Sequence, residues 1–189
     1  MIGFDKVIDE KFGFLSGSDK VLFIKTGQGG SIYGYKNRYL ELAAKIKGKL
    51  GFSTFVSITE NDGKDTYMHD MKVLEECIGG TNFEIYYLGV SKGGLIGLWH
   101  GAQDPRIKRM SALNAPLMIN FYNKTLPAVK LLGKEKLTLI YGSLDPSYKY
   151  VPFISSYADV RIIDGADHNL KNAPFELFEI VYHNLTGAH

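Results

Sequence analysis

The chain has 189 residues, 45% apolar and 22% charged, with a formal net charge of +2. That length suits one domain with a good core and is short for two, and the composition excludes disordered and fibrous classes. So weak a charge excess, with no dense Lys/Arg block, gives no electrostatic case for nucleic acid or an acidic membrane as partner.

The first residues, MIGFDKVIDEKFGF, carry acidic side chains and lack a long apolar core, so they do not read as a signal peptide. No apolar run approaches the length of a membrane span. The single cysteine, Cys77, allows no internal disulfide and sits in a helix-like pattern as a small core residue. The expectation is a soluble, cytoplasmic protein.

In chain order, Phe4 to Leu15 offers one or two antiparallel edge strands. Apolar bursts then recur at 20-KVLFIKTG-27, 53-STFVSITEND-62, 83-FEIYYLGV-90, 107-IKRMSALNAP-116, 136-KLTLIYGSLDP-146 and 159-DVRIIDGAD-167. They are short, rich in branched and aromatic residues and not cleanly alternating, as suits strands covered on both faces. Between them, 36–51 carries a helical stripe of Tyr39, Leu42, Ala43, Ile46 and Leu50, with Gly48 and Gly51 marking its end. Tyr67, Met71, Leu74 and Ile78 do the same in 65–80. Lys134 and Lys136, flanking Glu135, read as a solvated loop. A last helix starts at Asn172-Ala173-Pro174, with a stripe of Phe175, Phe178, Tyr182 and Leu185.

Strands alternating with helices predict an α/β fold, a mostly parallel central sheet with helices on both faces, in one domain over 1–189. The working loops of such a sheet lie beyond the carboxyl ends of its strands. The first is 26-TGQGGS-31, whose glycines let backbone approach a ligand. It lacks the Gly-Lys-Ser/Thr of a Walker loop and the G-x-G-x-x-G spacing of a dinucleotide site.

The next loop, Gly89-Val90-Ser91-Lys92-Gly93, is G-x-S-x-G. Alone it is weak, since the glycine and serine content gives about 0.14 chance matches. Its context is stronger: a buried strand ends there, and Leu95, Ile96, Leu98 and Trp99 continue as a buried helix. Such a turn strains the serine backbone and needs glycines on both sides. Two later bursts end in Gly142-Ser143-Leu144-Asp145-Pro146 and Asp164-Gly165-Ala166-Asp167-His168. The chain order is therefore serine, aspartate, histidine.

With these elements in this order, the chain resembles the small single-domain α/β-hydrolases, a serine hydrolase or esterase-like family, over nearly its whole length. The resemblance implies that fold with a minimal lid or none, a short cap-like insertion being possible at 115–135. It implies Ser91 as nucleophile, His168 as the base that takes its proton, and Asp145 as the carboxylate that orients the imidazole. It further implies an oxyanion hole made by the backbone N–H groups of Lys92 and Gln28. Thr26 departs from the family, standing where a histidine often precedes the glycine.

Plainer readings stand beside these. Ser91 has a lesser reading as a turn serine, His168 as a surface histidine and Asp145 as an Asp-Pro turn residue, with Asp164 and Asp167 as rivals for its place. His69, His100, His183 and His189 have no metal-ligand spacing, so no metal and no cofactor is expected. Tyr33, Tyr35, Phe121, Tyr122, Tyr148 and Phe153 fall near the active-face loops, as pocket lining or as packing. The reading is a hydrolase of a small carboxylic ester or thioester, the ester resting on the resemblance alone. The alternatives are a non-catalytic binding protein on the same scaffold and, more weakly, a phosphate binder using Gly27 to Gly30. The implied partner is a small ester-type molecule, and the oligomeric state is left open.

Overall fold

In the computed structural model, which describes residues 3–170 and 177–186, the apolar bursts become strands of one sheet. In chain order the strands are β1 (Lys6–Ile8), β2 (Phe12–Leu15), β3 (Ser18–Gln28), β4 (Phe52–Thr59), β5 (Glu84–Val90), β6 (Ile107–Leu113), β7 (Leu137–Gly142) and β8 (Asp159–Ile163). The sheet order is β1-β2-β4-β3-β5-β6-β7-β8. β1 pairs antiparallel with β2, and β2 pairs antiparallel with β4, which makes the antiparallel edge that Phe4 to Leu15 led one to expect. All the other pairings are parallel.

The strands lack clean polar alternation because both sheet faces are buried. Along β3, Val21 and Phe23 join one apolar cluster while Leu22 and Ile24 join the other. Leu139 and Ile140 of β7 divide the same way. Helix α1 (Arg38–Leu50) covers the second face with Tyr39, Leu42 and Ile46, beside α6 (Leu177–Thr186) with Val181 and Leu185. Each fully buried aliphatic side chain of that kind stabilises by about 1.5–3 kcal/mol. The first face takes α2 (Tyr67–Ile78), α3 (Lys92–Ile96), α4 (Leu126–Lys136) and α5 (Val151–Ile154).

α1 runs through Gly48 and stops at Gly51, whose left-handed backbone (φ 71°) lets its N–H reach the Lys47 carbonyl. Lys134 to Lys136 lie in the last turn of α4, where Gly133 (φ 67°) breaks the regular helix, and not in a loop. They remain exposed. A wide turn over Phe121–Thr125 leads into α4, and α4 packs on β6 and β7. No lid covers the site among the described residues. Asn172, Ala173, Pro174, Phe175 and His189, with the side chain of Phe178, lie outside the described residues.

The sheet order sets where a ligand fits. From β3, the chain passes to β4 on one side and then to β5 on the other, so the loops after β3 and β5 leave in opposite senses. The crevice between them lies beyond the carboxyl ends of the strands.

One buried charge pair lies close by. Lys25 on β3 is fully buried, and the three N–H bonds of its Nζ are shared among four oxygens, of Asp70 (2.7 Å), the Ile58 carbonyl (2.7 Å), Thr66 Oγ1 (2.8 Å) and Ser57 Oγ (2.9 Å). Burial pulls the Lys25 pKa down and pushes the Asp70 pKa up, and each charge partly restores the other. The alternative to this pair is an unpaired ion in the core, so it pins β3, β4 and α2 together.

Candidate active site

β5 ends at Val90, and α3 begins at Lys92. Ser91 between them has φ 50° and ψ −120°, a conformation that L side chains rarely adopt. The flanking glycines allow the turn. A Cβ on Gly89 would lie 2.6 Å from the Gly94 nitrogen, and one on Gly93 would lie 2.5 Å from the Thr26 carbonyl oxygen. The backbone is anchored behind the serine, because Ser91 N–H donates to the Leu113 carbonyl at 2.7 Å. The Gly94 and Leu95 N–H groups return to the Ser91 carbonyl. The first N–H groups of a helix have no acceptor within it, and Lys92 is the first residue of α3.

The structure brings together the three residues at the ends of β5, β7 and β8. Ser91 Oγ lies 2.9 Å from His168 Nε2, and His168 Nδ1 lies 2.5 Å from Asp145 Oδ2. Asp145 is buried, and its other oxygen accepts from the Ser147 N–H at 2.7 Å. The hydrogen bond to Asp145 is the main cause that raises the His168 pKa, and it outweighs the opposing effect of burial. The two rival carboxylates are engaged elsewhere. Asp164 accepts from Ser143 Oγ at 3.1 Å, and Asp167 accepts from the Asn169 N–H at 2.9 Å.

Two residues outside the sequence-based site reading shape it. Asn114 follows β6, is buried and has φ 48°. Its Nδ2 donates to the His168 carbonyl at 2.9 Å, and its Oδ1 accepts from the Gly142 N–H at 3.0 Å. It therefore ties the histidine loop to the end of β7. The local sequence signal was an asparagine closing an apolar burst before Ala115-Pro116. Arg38 opens α1 and lines the same cavity as Ser91; its only signal was a basic residue in the first turn of a helix.

The cavity has a volume of about 470 Å³ and is walled by Gly27 to Ser31, Tyr35, Arg38, Tyr39, Asn114 and Leu170. Gly27 comes close to the serine, since a Cβ there would meet Ser91 Cβ at 3.4 Å. Gln28 is on the wall, and its side chain is tethered to the Asn61 carbonyl. Thr26 turns away from the cavity. It is buried, its Oγ1 accepts from the Thr59 N–H at 3.0 Å, and its carbonyl accepts from Thr59 Oγ1 at 2.8 Å. The loop thus hangs from β4 by a threonine pair.

Of the six aromatic candidates, Tyr35 lines this cavity. Tyr122, Phe153 and Tyr150 each pack on the Phe121 ring. Tyr33 packs on Phe4, and Tyr148 is exposed. His100 pairs with Asp65, and His69 lies edge-on to Phe12. Among the described residues, no three His, Cys, Asp or Glu side chains gather as a metal site would require. No helix among them is long and apolar enough to cross a membrane.

No family model matches the sequence, and no curated protein matches it. Solved structures do. Est1E from Butyrivibrio proteoclasticus superimposes with a TM-score of 0.68 at 14% identity, over 96% of this chain and 96% of that one. An α/β serine hydrolase without a lid from Xanthomonas campestris gives 0.62 at 15% identity, over 93% of this chain and 88% of that one. The esterase domain of a Rhodothermus marinus protein gives 0.61 at 12% identity, over 89% and 85%. At such identities the likeness shows the fold: this chain has the α/β-hydrolase fold.

Proposed function

We propose that the chain is a serine hydrolase that cleaves a small carboxylic ester or thioester through an acyl-enzyme. The observation that carries this is the continuous relay Ser91–His168–Asp145 at 2.9 and 2.5 Å, with the serine on a strained elbow beside an open cavity. In this reading His168 Nε2 takes the Ser91 proton as Oγ attacks the carbonyl carbon. Asp145 holds the proton on Nδ1 and stabilises the imidazolium that forms. The Lys92 and Gln28 backbone N–H groups receive the developing oxyanion. The imidazolium then gives its proton to the leaving group. A water, deprotonated by the same His168, frees the acid and returns the serine.

The serine hydrolase and esterase structures of the same fold support this chemistry, and the lidless one supports small, accessible substrates. A fluorophosphonate probe followed by mass spectrometry tests it. The adduct is expected on Ser91 of the wild type and is expected to be lost in Ser91→Ala and His168→Ala. A folded wild type that takes no label would overturn the reading and leave a binding protein on this scaffold.

A further inference from the structure

Among the described residues that wall the cavity, Arg38 carries the one permanent charge, and no carboxylate is present to neutralise it. An arginine has five N–H donors. Here the guanidinium stacks on the Tyr39 ring, with Cζ 5.0 Å from its centroid, and donates one hydrogen bond to the Tyr39 hydroxyl at 3.2 Å. Its Nε is buried and finds no acceptor among the described residues. A buried donor without a partner is unfavourable unless something else supplies one.

The backbone before Arg38 is shaped to present it. Gly34 (φ 69°), Lys36 (φ 51°) and Asn37 (φ 60°) are all left-handed, and two of these are not glycine. A Cβ on Gly34 would press on the Tyr39 ring at 2.7 Å and on Arg38 Cγ at 3.0 Å, so the loop is moulded around these two side chains. A cation at the positive end of a helix is also unfavourable on its own, and Asn37 gives this end no side-chain cap. Strain, an orphaned donor and a like-charge placement converge on one wall of a cavity that also holds Ser91 and His168. Such strain collects at ligand clamps.

We infer that Arg38 is a specificity residue that holds a carboxylate of the substrate while Ser91 attacks its ester or thioester carbonyl. The inference rests on the hydrolase reading above. A guanidinium fork matches a carboxylate in two parallel hydrogen bonds. With one guanidinium and no second permanent cation on the described wall, the match is to a singly charged carboxylate, not a doubly charged phosphate. The preferred substrate is then a hemiester or thioester of a dicarboxylic acid, or an ester whose leaving group carries a carboxylate.

Two substrate pairs test this and separate the two locations. Monophenyl adipate against phenyl methyl adipate places the charge on the acyl side. 4-Carboxyphenyl butyrate against its carboxamide places it on the leaving group. Wild type is expected to favour the anion in one pair by about tenfold or more in kcat/KM, the range for a charge-assisted contact. The ratio is expected to shrink with added salt, to collapse in Arg38→Gln and to survive in part in Arg38→Lys. Ratios near one in both wild-type pairs, or a preference that persists in Arg38→Gln, would overturn the assignment. Labelling of Ser91 and turnover of the neutral esters, run alongside, separate that failure from one of the hydrolase reading, in which neither occurs.

Discussion

His168 sits between a carboxylate that favours its charged form and a hydroxyl that needs its neutral form. Its pKa is raised above the ordinary value of about 6.5, first by the hydrogen bond to Asp145. A general base works unprotonated, so kcat/KM is expected to fall as pH drops through that raised value, with an acid limb centred above 6.5. Asp145→Asn removes the main raising contact and leaves burial, which acts the other way, against only the smaller raising effect of the Asp167 charge. The limb should then shift to lower pH while kcat falls by about three to four orders of magnitude. Stability has the opposite slope. A raised folded-state pKa stabilises the fold fully below the unfolded value and loses that contribution as pH rises through the folded one. A pH–rate profile and a pH series of urea melts on both proteins check the two signs. An acid limb that stays put in Asp145→Asn would show that the carboxylate does not tune the histidine.

At the scale of elements, the strand β3 serves the site from two directions. Its carbonyl edge at Lys25 and Thr26 abuts Gly93, so any side chain at 93 must displace either the strand or the elbow. Gly93→Ala is expected to destabilise by about 1–3 kcal/mol and to lower Ser91 labelling together with it. Both read out in one urea titration with a labelling time course; a stable, fully labelled variant would contradict the close packing. The Lys25–Asp70 pair behaves differently. Lys25→Met leaves a buried carboxylate alone and should destabilise by about 3–5 kcal/mol, whereas Lys25→Met with Asp70→Leu should recover most of that. Equal losses in the single and double variants would mean that the neighbouring hydrogen bonds, not the ion pair, hold β3 to α2.

For the whole molecule, the decisive feature is that none of the described residues lies over the crevice. The segment after β6 folds down as Phe121–Thr125 and α4 against the sheet, so among the described residues nothing closes the cavity of about 470 Å³. With no lid among the described residues to displace at an oil–water boundary, turnover of a soluble ester should follow a simple saturation curve through the concentration at which the substrate forms micelles. Acyl chains that outgrow the cavity should lose kcat/KM. A jump in rate at micelle formation would point to a moving cover.

The local pattern carried the alternation of strands and helices, because a strand buried on both faces must be apolar throughout and a surface helix must show its stripe. It carried the elbow too, because a serine can be turned out between a strand and a helix only where glycines flank it. It also carried the candidates Ser91, Asp145 and His168, since the parallel sheet collects the ends of β5, β7 and β8 at one edge. Which carboxylate meets His168 Nδ1 was open among Asp145, Asp164 and Asp167 until the folded loops engaged the last two with Ser143 and Asn169. The aromatic residues near the loops carried no local mark that separates packing from pocket. Lys25, Asn114 and Arg38 were illegible for one reason: their meaning lies in partners far away in the chain, or in the lack of one. A buried lysine, a bridging asparagine and an arginine with no carboxylate beside it on the described wall become distinct from their surface counterparts only when the fold has chosen their neighbours.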